Sequence, residues 1–593
     1  MSSTSIFKPA DEDTSEREPA DLWPGGNNNA TRHLSAGAYL DEEFCLTALR
    51  EVYCQPKRIV APSYGYDAVT VLSHCLRARR ALILRDTLLV ALFVFAAWYS
   101  VLSALIVLGA LLAVHLLVTT AVVGRDSVRF LRDAIQIRNT LGHYEADARR
   151  QSAGGNRVRR LRGFRRLWLE NVFAQIFGRV IGTVLVYLLF SVAELAIALV
   201  PAALWHTSPL GLAWLGLASP IATAVLVAVA FLIPMAVRAW SQYQLRALTP
   251  DRPVTTPARI PPRLAEIEEQ IGGNTVAYSG YAPFVGSGFT LRQWNFAQRL
   301  VRAQPTRMAG IDQTTLTESE REFATPPFTT QEICDHVREY IKNLMTAMLP
   351  EWRLPALTVH DRVFVAGTEI ESLWPYTTQT RMAEIIRNPT APQRHYLTFQ
   401  VVSWRGELVS TVYVHFAAQG KALYVELHVT GLLPCDERFR VVDQVDGVGS
   451  KSTLRETARA FVSAPVVVAA APTALVRNLR DVVRVGLRSR PERMKLRRGY
   501  DYGAVVSLRE LATSVEWQDH MQTQDIVKYG RIIERRVLAA ILDFLEQRGV
   551  DVTEYRQRSL TILNAGAVAT NGGTVNIEGD AIGQNNQSQE SAL

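Results

Sequence analysis

Glu194 is the one formal charge in two long apolar stretches, residues 87–124 and 180–237. A carboxyl placed there is the residue type that proton relays and ion pathways use, because ionised groups are costly in hydrocarbon. No basic residue stands at a matching depth, so a protonated acid packed between helices is the simpler expectation. Arginine supplies the second chemistry. Residues 125–166 hold twelve arginines against four acids, ending in the dense run Arg157, Arg159, Arg160, Arg162, Arg165 and Arg166. A second group, Arg477, Arg480, Arg484 and Arg488, is spaced 3, 4 and 4. That spacing puts all four on one face of a helix. Guanidinium groups beside an apolar crossing attract anionic lipid at roughly 1 kcal/mol each. All ten arginines are therefore expected at the lipid interface. The membrane accounts for this charge, so nucleic acid is not expected as a partner.

Other constellations fall short of a mechanism. Cys334, Asp335 and His336 are adjacent, and on a helix they point in different directions, so the thiol lacks a base within reach. Gly286-Ser-Gly288 has neither a third glycine nor the strand–helix context of a phosphate loop. It reads as a tight loop that packs aromatics. Gly449-Ser-Lys-Ser452 lacks the Gly-Lys order of such a loop. Asp361, Asp436 and Asp443 are ordinary acids that nothing in the sequence singles out. Five scattered cysteines, with no C-x-x-C pair, indicate reduced thiols rather than a disulfide scaffold. No catalytic set, cofactor or metal is expected.

The elements that position these residues begin with the apolar stretches. A crossing helix needs about 20 apolar residues, so Thr87–Gly124 is too long for one. Division near Trp98-Tyr99-Ser100, and again at His206–Gly211, predicts four transmembrane helices in two hairpins, 81–124 and 178–237. Arginines flank both hairpins and fill the 125–177 connection, while the proposed outer turns carry none. The bias of basic residues to the cytoplasmic side then predicts an inner-membrane protein with both termini cytoplasmic. Residues 1–34 are polar and read as a disordered tail, followed by a helical pre-membrane segment at 35–80.

After a Pro-rich linker (238–262), residues 263–561 read as a cytoplasmic α+β domain. Residues 394–430 alternate with period 2 over three strands, which indicates a half-buried antiparallel β-meander. Turns at Arg405-Gly406 and Gln419-Gly420 would pair Phe399 with Val412 and Val414 with Val425. One face then carries Leu397, Phe399 and Val401; the other carries Tyr396, Thr398, Gln400, Thr411, Tyr413, Tyr424 and Glu426. In that register His415 and His428 are four residues apart and His395 is on the opposite face, so no zinc site forms. Residues 474–498 form a basic amphipathic segment, with Pro465 and Pro472 limiting the apolar run before it. A strong helix is expected at 523–547 and a Gly/Asn-rich tail at 562–593.

Three segments carry a resemblance: Arg58-Ile-Val-Ala-Pro-Ser-Tyr-Gly-Tyr-Asp67, Tyr278–Gly288 with Trp294 after it, and Ile533 through Asp551. They resemble uncharacterised actinobacterial integral membrane proteins over roughly residues 40–583. The resemblance implies one intact architecture and no activity. The expected function is a membrane-anchored interaction or sensing module, held against anionic lipid by its arginines and open to a protein partner or homo-oligomer. Two other readings remain: an oligomeric transporter or channel using Glu194, and an enzyme with its site near the 278–288 loop or the polar meander face.

Overall fold

The computed structural model describes residues 28–99 and, with short interruptions, 220–564. The tail before residue 28, Glu194, the Arg157–Arg166 run, the proposed crossings at 101–124 and 178–204, and the Gly/Asn-rich tail after residue 564 lie outside the described residues.

The centre is a six-stranded sheet in the order β1-β3-β4-β5-β6-β2. Its strands are β1 (Thr275–Tyr278), β2 (Phe289–Arg299), β3 (Leu357–Ala366), β4 (Arg394–Ser403), β5 (Leu408–Gln419) and β6 (Ala422–Leu432). β1 runs parallel to β3 and every other pair is antiparallel. The sheet is therefore mixed, not the antiparallel meander expected. The meander supplies only β4 to β6, because the parallel partner comes from a segment far away in sequence.

Phe399 faces Val412, as the first turn predicts. The second turn differs. Gly420 and Lys421 are both left-handed, each with φ of 59°, so they form the turn and Val414 pairs with Leu427. The register has slipped by two residues. A slip of two leaves every side chain on its face, whereas a slip of one would invert the strand.

One sheet face is apolar. Phe399, Val401, Val412, Val414, Val425 and Leu427 bury against Ile333, Val337 and Ile341 of one helix and Ile533, Val537, Ile541 and Phe544 of another. In chain order, apart from the single turn Glu318–Arg321, the α-helices are α1 (Asn29–Leu40), α2 (Glu42–Ala48), α3 (Ala68–Tyr99), α4 (Pro220–Leu245), α5 (Pro262–Ile271), α6 (Thr330–Met345), α7 (Gln379–Arg387), α8 (Ser450–Arg488), α9 (Leu508–Leu511), α10 (His520–Gln547) and α11 (Thr553–Asn564). α6 and α10 thus cover the apolar face.

Among the described residues three helices are long and apolar enough to cross a membrane: Ala68–Trp98, Val225–Leu248 and Ser450–Val483. They replace the expected four-crossing, two-hairpin arrangement. The third lies in the region read as cytoplasmic. α8 continues through Pro465 and Pro472 and packs Ala464, Val468 and Ala471 onto Leu89 and Ala96 of α3 and Leu226, Ala230 and Phe231 of α4. Small residues at such a contact let helix backbones approach closely.

The N-terminal region also departs from its composition. Asn28 caps α1 by accepting from the Thr31 amide. Residues 30–39 are buried, where polarity predicts chain without a core. Two of its polar side chains reach distant partners: Asn28 donates to the Gly65 carbonyl, and the Thr31 hydroxyl accepts from the Asp67 amide.

Candidate functional site

Period-2 alternation gives the sheet a second, polar face, and this face is buried too. Thr398, Gln400, Thr411, Tyr413 and Thr430 are fully buried, and Arg362 is nearly so. The pairing places them in rows: Arg362 beside Tyr396, Thr398 beside Tyr413, and Gln400 beside Thr411. The segment 59–66 and the loop 284–288 lie over this face. Phe284 stacks on Tyr413 with ring centroids 4.5 Å apart and meets Tyr396 and Phe364 edge-on. Tyr413 donates its hydroxyl hydrogen to the Tyr64 hydroxyl at 3.3 Å.

The acids around the face are committed to protein partners. Glu426 accepts from the Tyr396 hydroxyl at 2.8 Å and contacts His428 Nε2 at 2.6 Å. Burial opposes its ionisation, but the hydrogen bonds from His428 and Tyr396 outweigh burial and hold the carboxyl at about 2. Asp361, on the other face of β3, meets His395 Nε2 and an Arg338 nitrogen at 2.8 Å each. These partners overcome burial and hold it at about 2 as well. His415 Nδ1 lies 2.8 Å from the His395 carbonyl oxygen, and burial lowers its pKa. In the observed register His415 pairs with Glu426 and His428 with Tyr413. The offset is two residues, not four, yet each imidazole has its own protein partner.

The Gly286-Ser-Gly288 loop does bind an anion, and the anion is internal. The Gly286 and Gly288 amides both donate to Glu510 Oε1, at 2.8 and 3.0 Å. Glu510 also closes a capping box with Ser507 at the start of α9. Burial pushes its pKa up although these amides pull the other way.

Residues 293–576 match the model of the AbeC-like domain. That AbeC-like region runs from β2 through α11 and covers just under half of the chain. It leaves out α1 to α5 and the parallel strand β1. No curated protein and no solved structure matches the chain. The match replaces the resemblance to actinobacterial membrane proteins. Two of its three segments, 58–67 and 278–288, precede the AbeC-like region, and there they serve as a cover for the sheet.

A charge cluster joins α1 to the AbeC-like region. His33, Glu407 and Asp443 bring ligand-type atoms within 4.8 Å of one another. His33 Nε2 is 2.6 Å from Asp443, and Nδ1 is 2.9 Å from Glu407. Arg32 pairs with Asp443, and Arg440 with Glu407. Two guanidinium groups already match the two carboxylates, and each imidazole nitrogen faces a different one. The cluster therefore reads as an ion network rather than a metal centre.

Burial works against the His33 imidazolium, but Asp443 and Glu407 outweigh it and raise its pKa. Because the folded value is the higher, the His33 contribution is complete below about pH 6.5 and is lost as pH rises through the folded value. His33→Gln is expected to flatten the fall in melting temperature above neutral pH. A variant that keeps the wild-type slope would exclude the role.

The remaining sequence candidates separate. Cys334 is a core thiol whose pKa burial raises. His336 instead meets Asp543 at 3.1 Å, so no dyad exists. All five cysteines are free and buried. Gly449 opens α8, its carbonyl accepting from Ser452 and Thr453. Arg477 and Arg480 are exposed on α8. Arg484 and Arg488 belong to the same helix. Arg362 and His33 were missed by motif reading. The signal for Arg362 was a lone cation at an alternate position of the otherwise strand-like run Leu357–Ala366.

Proposed function

We propose that the chain is a membrane-embedded protein whose sheet domain is an interaction or sensing module held at an anionic lipid surface. The carrying observation is the inverted surface of the three apolar helices. Leu84, Leu88, Val94, Phe95 and Trp98 of α3, Val225 and Leu232 of α4, and Phe461, Val462 and Val466 of α8 are exposed. So many exposed large apolar side chains along the three helices mark a surface that water does not cover. The end of α8 makes the point most sharply. There Asn478 and Asp481 are buried, while Val476, Leu479, Val482 and Val483 face outward.

Connectivity supports different roles for the three helices. α3 leaves the sheet domain and α4 returns to it. α8 both leaves and returns: before it, Cys435 bridges Thr513, and after it, Tyr278 bridges Ala504. A single crossing would put these flanks on opposite sides of the bilayer. The ten residues 489–498, five of them basic, are too few for a returning helix of about 20. Glu456 pairs with Arg238 and Asp481 with Arg50, while Phe461 stacks on Phe231 further along α4. α8 therefore fits a helix that dips into the leaflet beside α3 and α4 and comes back, with Arg477 and Arg480 at phosphate depth.

Fluorophores on Val476→Cys and Tyr281→Cys in the full chain, reconstituted in nanodiscs, test this. Residue 476 is expected to be quenched by doxyl lipid and shielded from iodide; Tyr281, fully exposed on a sheet loop, should show the reverse. Quenching of residue 476 by iodide alone would remove the membrane reading. Charge reversal at Arg477 and Arg480 should weaken lipid quenching in anionic but not in neutral discs; equal effects would remove the arginine contact.

A further inference from the structure

Arg362 is 1% exposed, and none of its three guanidinium nitrogens has a hydrogen-bond partner among the described residues. Its guanidinium carbon sits 5.1 Å from the Tyr64 ring centroid. The acids flanking it are taken: Glu426 by His428 and Tyr396, Asp361 by His395 and Arg338. Gln400 is fully buried with neither amide atom paired, and Thr411, its register partner, has an unpaired Oγ1. This pair lies two rows from Arg362, roughly 13 Å along the strands, with Thr398 and Tyr413 in the row between. Tyr413 in turn reaches Tyr64, so the same two tyrosines join the arginine to the Gln400–Thr411 row.

A buried charge without a counter-charge is strongly unfavourable. An apolar residue would serve packing better at that position. A planar fork of donors matches a carboxylate or phosphate with two parallel hydrogen bonds. Gln400 and Thr411 add a donor and acceptors for the remainder of a polar molecule. Phe284, stacked on Tyr413, adds apolar surface beside these groups, and apolar surface with a few polar groups is the usual composition of a small-molecule site.

We propose that the covered polar face of the sheet binds a small, water-soluble organic oxyanion, its carboxylate or phosphate held by Arg362 and its polar body by Gln400 and Thr411. The site does not depend on the membrane reading. It gives the sensing module a ligand class.

The test uses the full chain in nanodiscs of zwitterionic phosphatidylcholine, with inorganic phosphate and acetate as probes and sodium chloride at matched ionic strength as reference. A ligand that binds only the native state raises the melting temperature in a saturable way. The wild type is expected to show such a rise with at least one oxyanion beyond the chloride response. Arg362→Met should abolish it, and Arg362→Lys should raise the half-saturating concentration by roughly tenfold or more, since Lys cannot present the fork. Phosphate also stabilises proteins through exclusion from their surface, but that effect is unsaturable and shared by the variants. No saturable rise in the wild type, or the same half-saturation in Arg362→Met, would overturn the proposal. If Arg362→Met does not fold, Arg362→Lys decides. It keeps the charge and loses the planar fork, and an unchanged half-saturation with it would count as refutation.

Discussion

Arg509→Met is expected to lower the stability of the sheet domain by about 3–5 kcal/mol, a drop in melting temperature on the order of 10 °C. Arg509 is fully buried. It donates to the carbonyls of Gly406, Glu407 and Leu433. Those three lie at the β4–β5 connection and just past the end of β6, while Arg509 itself sits in α9. Methionine has similar length and is apolar, so the loss comes from stranded carbonyls rather than from a cavity. Each buried acceptor left without a donor costs about 1–3 kcal/mol. The Gly406 end of the connection also touches α1, where Asn28 meets Gly65 and lies close to Gly406. Losing the arginine should therefore loosen α1 and the His33–Glu407 contact together. Hydrogen exchange at residues 29–40 reads this second effect. Arg509→Lys, with one flexible ammonium, should recover less than half of the loss. A loss below about 1 kcal/mol in Arg509→Met would show that these carbonyls find other donors and that Arg509 is not the tie it resembles.

What the amino-acid pattern reveals here depends on how far the interacting residues are apart. Alternation across 394–430 is local, and it correctly separates Leu397, Phe399 and Val401 from Tyr396, Thr398 and Gln400. The β5–β6 slip of two residues survives this test because faces repeat every second residue. Lys421 in a left-handed turn position was not expected, since glycine takes that conformation most readily. The parallel β1–β3 pairing joins Thr275 to Val363, and no local pattern announces such a partner. Pro465 and Pro472 read as helix limits because a proline lacks the amide that continues the ladder. Their seven-residue spacing returns both to nearly the same side of the helix, and α8 runs on. Residues 28–34 failed for the opposite reason. Polar composition signals disorder only when the polar groups have water as their best partner, and Arg32 and His33 have Asp443 and Glu407 instead. Burial of the polar sheet face was likewise hidden, because the cover comes from residues 59–66, more than 300 positions upstream of β4 and β5.

Gly288→Ala is expected to destabilise the domain by about 3 kcal/mol, and by more at neutral than at acidic pH. Gly288 has φ of +82°, and a Cβ there would lie 2.1 Å from the Gly431 carbonyl oxygen and 3.1 Å from the Leu432 Cα. Those contacts are backbone atoms of β6 and cannot swing away. Left-handed backbone alone costs an alanine about 1–2 kcal/mol, and the clash adds to it. To relieve the clash the loop must withdraw the Gly288 amide from Glu510 Oε1. Glu510 then keeps its burial with one donor fewer, and its already raised pKa climbs further. For an acid whose folded pKa exceeds the unfolded value near 4.3, stability falls as pH rises from the unfolded value to the folded one. The Gly288→Ala deficit should therefore grow as pH rises through the wild-type folded value of Glu510, and level off above the variant's higher one. Glu510→Gln removes the charge and retains an acceptor for Gly286. Combined with Gly288→Ala, it should erase the pH-dependent part and leave the steric part, a non-additive pair in a double-mutant cycle. Strict additivity, or a deficit independent of pH, would mean that the glycines shape the cover over the polar face without clasping the carboxylate. The distinction matters for the anion proposed at Arg362. The same loop carries Phe284, so a charge clasped by backbone amides at one end of the cover fixes the aromatic wall at the other.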